Sequence, residues 1–247
     1  MRTYAIGDIH GHPDKLQALH ALIAADRAAR GDDGAPVVHV GDLVDRGPDS
    51  RGVIDLLIAG IAAGENWVVL KGNHDRMFRG FMADPDYHDP RLRPDLWWLH
   101  ERLGGDTTLA SYGVTGADER VLHDLHAQAL VSVPPEHLAF LDGLPIYHMR
   151  GECLFVHAGI RPGVDLRQQT EDDLLWIRKE FHEDFRDHGV LVIHGHTPID
   201  GVTHYGNRVN IDTGAGYGKA MSAIVTEGRE VFQLTDRGRV HIAPPKP

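Results

Sequence analysis

Three times within the first 75 residues, a short apolar run ends in a polar loop that contains glycine. The apolar runs occupy residues 3–6, 37–40 and 67–70. Helical periodicity follows the first two loops, from Pro13 to about Arg30 and from Val53 to Ala63. Strands that alternate with helices in this way indicate βαβ units and a parallel sheet, and therefore an α/β fold.

The rest of the chain has a different pattern. From about Arg79 to Pro145, frequent proline, tryptophan and charge predict helices with long connections and no clear strand. We interpret this region as a helical cap or side region that borders the site, with Trp97 and Trp98 in its core. Strands resume after it, at residues 146–149, 153–156 and 190–193 and as short strands between 202 and 242. Since no convincing linker occurs, we expect residues 1–247 to form a single domain.

Composition limits the function and the compartment. The net charge of −11 leaves no basic stripe that could displace counterions, which argues against a nucleic-acid partner. The single cysteine, Cys153, cannot form an internal disulfide, which favours a reducing compartment. No signal peptide is visible, and the longest apolar run, Val53 to Ala63, is too short to span a bilayer. We expect a cytoplasmic protein without a membrane partner, and the sequence leaves its oligomeric state open.

Polar clusters follow five of the predicted strands. If these strands share a sheet, the clusters converge on the edge where open α/β sheets bind ligands. The mixture of oxygen and imidazole groups suits Mn²⁺, Fe or Zn²⁺ better than Ca²⁺, and it is large enough for two ions. A polar turn or a satisfied core histidine explains any one cluster, but not all of them in this order. The clusters are Asp8 and His10; Asp42, Asp45 and Arg46; Asn73, His74 and Asp75; His157; and His196.

The same loops carry a family resemblance. The blocks G-D-I-H-G, G-D-L-V-D-R-G, G-N-H-D, V-H-A-G and H-G-H-T-P lie between residues 7 and 198. They resemble the signature blocks of calcineurin-like metallophosphoesterases. More narrowly, they resemble the phosphoprotein phosphatase branch, which includes the bacterial and bacteriophage lambda-type serine/threonine protein phosphatases. The resemblance implies two packed, mixed β-sheets flanked by helices, and two divalent metal ions, with Mn²⁺ as first choice and Fe or Zn²⁺ as alternatives.

The resemblance also implies which residues hold the metals. Asp75 stands where many family members carry glutamate, a departure to which we attach no catalytic consequence. Six residues match the ligands: Asp8 and His10 for the first metal, Asp42 as the bridging carboxylate, and Asn73, His157 and His196 for the second.

Four further residues match the family's substrate-binding and catalytic groups. Arg46 matches a phosphate-binding arginine, and Arg178 resembles the second phosphate arginine of the bacterial enzymes. His74 matches the general acid that protonates the leaving group. Asp45 matches the carboxylate that orients this histidine.

These matches predict a metal-dependent phosphoric ester hydrolase, namely a serine/threonine protein phosphatase in which a metal-bridging hydroxide attacks phosphorus in line with the leaving oxygen. Pro198 occupies the place of a further histidine ligand of the phosphodiesterase branches, which argues against a nuclease or a cyclic-nucleotide phosphodiesterase. Cys153 lies outside any phosphate loop, which excludes a cysteine phosphatase. We expect a phosphoprotein or a small phosphorylated molecule as the substrate.

Two alternatives stay open. A symmetrical dinucleoside tetraphosphate hydrolase is similar in the same blocks, and the region from Arg79 to Pro145 would then select its substrate. A non-catalytic, metal-dependent binding module is a different class of function. Such a module is expected to have lost some of the matched residues, and all of them are present here.

Overall fold

The computed structural model describes residues 1–31 and 34–246. In this part of the chain the strands are β1 (Arg2–Ile6), β2 (Val37–His39), β3 (Trp67–Val69), β4 (Tyr147–Arg150), β5 (Cys153–Val156), β6 (Leu191–His194), β7 (Thr203–His204), β8 (Arg208–Asn210), β9 (Ala223–Glu227), β10 (Glu230–Thr235) and β11 (Gly238–His241). The helices are α1 (Pro13–Arg30), α2 (Ser50–Ala62), α3 (Asn73–Ala83), α4 (Gly105–Ser111), α5 (Leu122–Ser132), α6 (Pro135–Asp142), α7 (Glu171–Trp176) and α8 (Lys179–His182).

The strands form two mixed sheets. The first has the order β11-β10-β9-β1-β2-β3 and the second has the order β4-β5-β6-β8-β7. Within the first sheet β1, β2 and β3 are parallel, and within the second β5, β6 and β8 are parallel. The remaining strands pair in antiparallel orientation at the sides of these parallel groups. The two mixed sheets flanked by helices, which the family resemblance implied, are confirmed.

Alternation along the strands divides the core into layers. Ala5 belongs to a buried cluster that joins the two sheets, whereas its neighbours Tyr4 and Ile6 belong to a cluster shared with helix α1. This is the expected result for a strand whose successive side chains point to opposite faces. The layer between the sheets also contains Val38, Val40, Leu70, Phe155, Leu191, Ile193, Val209, Ile211 and Ile224.

Three helices begin at residues that favour a helix start, although α2 begins at Ser50, three residues before the predicted Val53. Pro13 occupies the first turn of α1, and the Asp49 side chain caps α2 by accepting from the Gly52 amide at 2.8 Å. Thr170 caps α7 by accepting from the Asp173 amide. Between Asp84 and Pro145 the structure contains helices and no strand, as predicted for the cap region. No described helix is at once long enough and apolar enough to cross a membrane.

One prediction needs correction. The five strands that carry the polar clusters do not share a sheet, because β1, β2 and β3 belong to the first and β5 and β6 to the second. The clusters still meet, since the two sheets are packed with the loops that follow these strands adjacent. The Gly195 amide after β6 donates to the carbonyl of His157 after β5 at 2.8 Å, and the His196 amide donates to Asp8 after β1. The boundaries of the domain stay a prediction.

Candidate metal centre and active site

The predicted ligand and acid residues lie together and are buried. Each of them is exposed by 5% or less, although most carry ionisable side chains. Buried charges and imidazoles are retained in proteins only where partners or metals compensate for the loss of water. The eight buried residues are Asp8, His10, Asp42, Asp45, Asn73, His74, His157 and His196.

Backbone strain is concentrated at the same residues. Among residues 1–31 and 34–246, five non-glycine residues adopt the left-handed region, with φ between 46° and 72°. Such conformations are uncommon for residues with a Cβ atom and are found mainly where function demands them. All five were predicted as site residues: His10, Asp42, Asp45, Arg46 and His196.

Two glycines allow the loops after β2 and β3 to touch backbone to backbone. Gly41 has a φ of +100°, and a Cβ atom there would lie 2.6 Å from the Gly72 amide nitrogen. A Cβ atom on Gly72 would lie 2.2 Å from the Asp42 amide nitrogen. Any larger side chain at either position would push Asp42 away from Asn73, so the glycines set the distance between two predicted ligands.

Asp42 lies between the two predicted metal positions. Its Oδ2 atom is 3.5 Å from Nε2 of His10, and its Oδ1 atom is 3.3 Å from Nε2 of His157. Two groups of three residues each place their potential ligand atoms within 4.8 Å of one another, and Asp42 belongs to both groups. The first group is His10, Asp42 and His74, and the second is Asp42, His157 and His196. This position between two groups is the one a bridging carboxylate requires.

The second group is completed by Asn73. Its Oδ1 atom lies 2.8 Å from Nδ1 of His196 and 2.9 Å from Nε2 of His157. The two histidine nitrogens are themselves 3.2 Å apart. One amide oxygen, one carboxylate oxygen and two imidazole nitrogens therefore face a common point, and this donor set fits a transition-metal ion.

Backbone carbonyls orient two of the histidines. Nδ1 of His10 donates to the Val44 carbonyl at 2.8 Å, and Nδ1 of His157 donates to the Val40 carbonyl at 2.9 Å. Each contact leaves the Nε2 atom unprotonated, within 3.5 Å of a carboxylate oxygen of Asp42. Metal-binding histidines typically have their other nitrogen held in this way, so these imidazoles fit the ligand role.

Asp8 is placed differently from the other predicted ligands. Its two carboxylate oxygens accept from the backbone amide of His196 at 3.2 and 3.0 Å. It belongs to neither of the two close groups, whereas His74, predicted as the acid, belongs to the first by distance. The Nδ1 atom of His74 is held by the Asp45 carboxylate, so only its Nε2 atom is available to a metal or a substrate.

The electrostatics of the cluster fit bound cations. Burial raises the pKa of Asp42 to about 7 and raises the pKa of Asp8 well above its usual range. Burial also lowers the pKa of His157 to about 4, so that its imidazole is neutral near pH 7. Unprotonated imidazoles and carboxylates are the forms that bind metals, and a divalent ion at the centre would favour the ionised carboxylates.

Asp45 is surrounded by hydrogen-bond donors. Its Oδ2 atom accepts from Nδ1 of His74 at 2.6 Å and from the indole of Trp98 at 2.9 Å. Its Oδ1 atom accepts from the hydroxyl of Thr108 at 2.7 Å. Three donors stabilise the carboxylate form and offset the burial that raises the pKa of Asp45. The predicted orienting contact is present, while Trp98 and Thr108 were missed as partners of the site.

Asp75 holds two of the loops together. Its carboxylate accepts from the Leu43 amide at 2.9 Å and from the Gly72 amide at 2.7 Å. These amides are next to Asp42 and Asn73, respectively. Asp75, which stands where many family members carry glutamate, therefore positions predicted ligands from two loops, a role that the sequence did not indicate.

The two predicted phosphate arginines contact histidines of the predicted metal site, which is called the metal cluster below and consists of Asp8, His10, Asp42, Asn73, His157, His196 and the neighbouring His74. Arg46 donates to Nε2 of His10 at 2.7 Å and to Nε2 of His74 at 3.0 Å, and Arg178 donates to Nε2 of His196 at 3.0 Å. An imidazole nitrogen has one lone pair, so Nε2 of His10 can accept from Arg46 or bind a metal, but not both. The Arg46 guanidinium also lies 4.7 Å from the ring centre of Tyr217.

A cavity of about 580 Å³ opens beside these arginines. Five of its ten lining residues are arginines and none is acidic, in a chain with eleven more acidic than basic residues. Two of the five are the predicted phosphate arginines, and the other three come from the cap region. The cavity is lined by Arg46, Arg91, Leu92, Arg93, Leu96, Arg102, Leu103, Trp176, Arg178 and Tyr217.

Comparisons with known proteins agree with this geometry. Similar sequences include two proteins named bis(5'-nucleosyl)-tetraphosphatase (asymmetrical). The one from Geobacillus thermodenitrificans is 27% identical over 245 residues, which cover 91% of this chain and 90% of that protein. The one from Anoxybacillus flavithermus is 26% identical over 240 residues, which cover 89% and 88%.

The fold is similar to that of a cold-active protein-tyrosine phosphatase from a Shewanella species, with a TM-score of 0.57 and 17% identity over 98% of this chain and 80% of that one. The model of the calcineurin-like phosphoesterase family matches residues 1–225. This chain, with its two mixed sheets and its buried Asp, Asn and His cluster, belongs to the calcineurin-like phosphoesterase family.

Proposed function

We propose that the protein is a metal-dependent hydrolase of nucleoside polyphosphates of the bis(5'-nucleosyl) tetraphosphate class. The observation that carries this substrate is the cavity with five arginines and no acidic residue beside the metal cluster. It is also the substrate class named for the two relatives above. The sequence favoured a protein phosphatase, whereas the arginine side chains that line this cavity favour a nucleoside polyphosphate.

Two divalent ions would be held by the six ligands around Asp42. When bound, such ions stabilise charge on a phosphoryl group and lower the pKa of a water molecule so that it can attack phosphorus. The donor set, the bridging position of Asp42 and the oriented imidazoles support this assignment. The residues proposed to hold the metals are Asp8, His10, Asp42, Asn73, His157 and His196.

Arg46 and Arg178 bind the phosphoryl group that reacts. Both guanidinium groups lie at the border between the cluster and the cavity, within 3.0 Å of predicted metal-binding or acid histidines. A guanidinium can hold two phosphate oxygens through parallel hydrogen bonds, and these bonds strengthen as charge develops on the oxygens.

His74, oriented by Asp45, transfers the proton to the leaving group. Nδ1 of His74 is held by the Asp45 carboxylate, so the remaining nitrogen, Nε2, is the only atom that can carry a transferable proton. Burial lowers the pKa of His74 well below its usual range. The contact with Asp45 offsets this effect when Nε2 becomes protonated, because the carboxylate stabilises the imidazolium.

Serine/threonine protein phosphatase remains the second candidate. The observation that favours it is the His74–Asp45 pair itself. A serine or threonine alkoxide leaves poorly without a proton, whereas the phosphate group released from an anhydride is a weak base and needs little help. A buried, oriented acid is therefore of greater use to a phosphomonoesterase.

The two candidates are separated by a direct comparison of substrates. With Mn²⁺ supplied, our proposal expects kcat/KM to be higher for bis(5'-adenosyl) tetraphosphate than for a phosphoserine peptide. Chromatography of the products also locates the cut, because asymmetrical cleavage releases ATP and AMP whereas symmetrical cleavage releases only ADP. A preference for the peptide would overturn the proposed substrate in favour of the second candidate. Absence of turnover on every phosphate ester and anhydride would favour the binding module.

A further inference from the structure

We propose that Arg91 and Arg102 form a second anion-binding subsite, which holds phosphate groups of the substrate other than the one that reacts. This inference rests on the proposed function for its natural ligand, but the subsite itself is defined by the cavity. Its ligand is a linear polyphosphate chain, whether free or as part of a nucleotide.

The arginines of the cavity divide into two sets. Arg46 and Arg178 contact the histidines of the metal cluster. The other three come from the chain between α3 and α4 and line the same cavity. One phosphoryl group has no more than three free oxygens, and two guanidinium groups already match them. The additional cationic wall therefore fits additional phosphates.

Among the three arginines of the cap region, two are available to a ligand. Arg93 is paired with Asp95, at 2.9 Å from its Nε atom, and this contact satisfies its guanidinium. Within residues 1–31 and 34–246, neither the Arg91 nor the Arg102 guanidinium has a hydrogen bond or ion pair.

Acidic groups near these two arginines are already held by other partners. The charge of Arg91 helps to lower the pKa of Asp173, whose carboxylate is bound by Arg161 at 2.6 and 2.9 Å. The charge of Arg102 acts in the same way on the Asp95 carboxylate that Arg93 holds. Neither arginine therefore has an acidic partner of its own, and like charges around one cavity repel until an anion binds.

The segment that carries Arg91 is fixed to helix α3, which carries His74. The Asp89 side chain is completely buried and accepts from Nε and Nη2 of Arg76 at 2.8 and 2.9 Å. It also accepts from the backbone amide of Arg91 at 2.9 Å. Arg76 lies on α3, two residues after His74, and it binds Asp172 of α7 as well. Asp89 is thus a positioning residue that holds Arg91 at a fixed distance from the acid.

The segment that carries Arg102 is fixed to the loop after β2, which carries Arg46. The carbonyl of Gly104 accepts from the Arg46 amide at 3.3 Å, and Leu103 is buried in the large core cluster beside helix α1. Both arginines of the proposed subsite therefore project from anchored backbone at a set distance from Arg46. Such preorganisation lowers the entropic cost of binding a second phosphate.

The experiment measures inhibition of p-nitrophenyl phosphate hydrolysis by tripolyphosphate and by orthophosphate. The proteins are the wild type, the double variant Arg91→Ala/Arg102→Ala and the matched control Arg93→Ala. Mn²⁺ is kept in excess, and any loss of Mn²⁺ to tripolyphosphate acts equally on every variant. We expect the inhibition constant for tripolyphosphate to rise about 10-fold or more in the double variant, as for the loss of charge-assisted hydrogen bonds.

In the double variant the inhibition constant for orthophosphate should rise far less than the constant for tripolyphosphate, because orthophosphate occupies only the position of the reacting phosphate. The control Arg93→Ala should keep tripolyphosphate inhibition within about two-fold of the wild type, since its guanidinium is already satisfied. An unchanged inhibition constant for tripolyphosphate in the double variant would overturn the subsite. An equal rise for orthophosphate would also overturn it, because the arginines would then serve the reacting phosphate.

A parallel assay separates the subsite from the proposed function. If the wild type hydrolyses bis(5'-adenosyl) tetraphosphate and the double variant raises its KM, both inferences are supported. If the wild type prefers the tetraphosphate and the double variant keeps its KM, the subsite fails and the function stands. If tripolyphosphate discriminates between the variants while the tetraphosphate is not hydrolysed, the subsite stands and the proposed substrate fails.

Discussion

The Nδ1 atom of His74 lies 2.6 Å from Oδ2 of Asp45, and their side chains are only 4% and 0% exposed. This contact fixes which imidazole nitrogen faces the cavity and couples its proton affinity to a buried carboxylate. The pair makes a prediction that depends on the leaving group. A mutation that affects only packing would lower the rate equally for every leaving group.

His74→Asn should lose most activity on a substrate with a basic leaving group. General acid catalysis typically contributes about 10²–10⁴-fold where the leaving oxygen must be protonated. We therefore expect a much larger fall in kcat on a phosphoserine peptide than on p-nitrophenyl phosphate, whose phenolate leaves unaided. Single-turnover rates are the measurement to make, because chemistry must limit them. Equal losses on both substrates would contradict the acid role.

Trp98→Phe should weaken the His74–Asp45 pair by removing a hydrogen bond to Asp45. The indole of Trp98 donates to Asp45 at 2.9 Å, and phenylalanine keeps most of the packing but removes this donor. The loss of a buried hydrogen bond to a charged group costs about 1.5–3 kcal/mol. We expect a lower free energy of unfolding and the same leaving-group dependence as His74→Asn, at smaller size.

The neighbouring tryptophan provides a matched control. Trp97 is 57% exposed, so Trp97→Phe should leave both stability and the leaving-group dependence near wild type. If the two variants behave alike, the indole of Trp98 acts only through packing. Thermal unfolding and single-turnover rates on the two substrates together provide the comparison.

The sequence predicted the centre of the site because its chemistry is local. Asp8, His10, Asp42 and Asn73 each follow a strand within four residues, so a strand and its loop suffice to place them. Long-range contacts were not predictable in this way. Trp98 and Thr108 lie 53 and 63 residues from Asp45, and nothing in their own neighbourhoods indicates a polar partner. The prediction that Trp97 belongs to the core was wrong, whereas it was right for Trp98, which is 3% exposed.

The arrangement of the sheets was beyond local reasoning for a related reason. The runs that form β2 and β6 are both short, apolar and buried, and neither sequence indicates which strands will pair with it. Pairing depends on contacts between distant segments, such as Ala5 opposite Ile224. The arginine cavity was missed because the cap region between α3 and α4 lacks the periodicity on which sequence reasoning depends.

Asp42→Asn should impair both metal sites, whereas His196→Ala should impair one. Asp42 belongs to both close groups of ligand atoms and His196 to only one. Loss of an outer hydrogen-bond partner typically costs about 10–100-fold in metal affinity, and loss of a direct ligand should cost more. Metal analysis and calorimetric titration with Mn²⁺ provide the measurement.

A chelator should abolish the activity of the wild type, and Mn²⁺ should restore it. His74→Asn is the internal control, because a residue that acts as an acid should leave the metal content unchanged. The assignment of ligands would be wrong if Asp42→Asn bound two ions with wild-type affinity. A loss of metal from His74→Asn would move His74 into the ligand set.

The pair His20 and His39 should make the fold sensitive to acid. Their Nε2 atoms lie 2.9 Å apart, so a single N–H···N bond joins two neutral rings, and His20 also stacks on Trp67. Burial lowers the pKa of His39 to about 3 and that of His20 to about 4. In the folded protein both rings thus stay neutral at pH values well below 6.5, the pKa of a histidine in the unfolded chain.

The sign follows from these lowered values. A base whose folded pKa is depressed contributes its full stability above the unfolded pKa and loses it as pH falls toward the folded pKa. At pH 5 the loss amounts to about 2 kcal/mol for one fully shifted imidazole, or roughly 4–8 °C in Tm for a chain of this size. The double variant His20→Leu/His39→Leu removes both titrating groups and should lose less stability than the wild type between pH 7.5 and about 5.

Since other buried groups also titrate, the comparison is the difference between variant and wild type at each pH, measured by thermal unfolding. His123→Gln, at an exposed position on α5, should reproduce the pH dependence of the wild type and serves as the control. Parallel curves for the double variant and the wild type would mean that the pair accepts a proton without cost. The lowered pKa values of the two histidines would then be wrong.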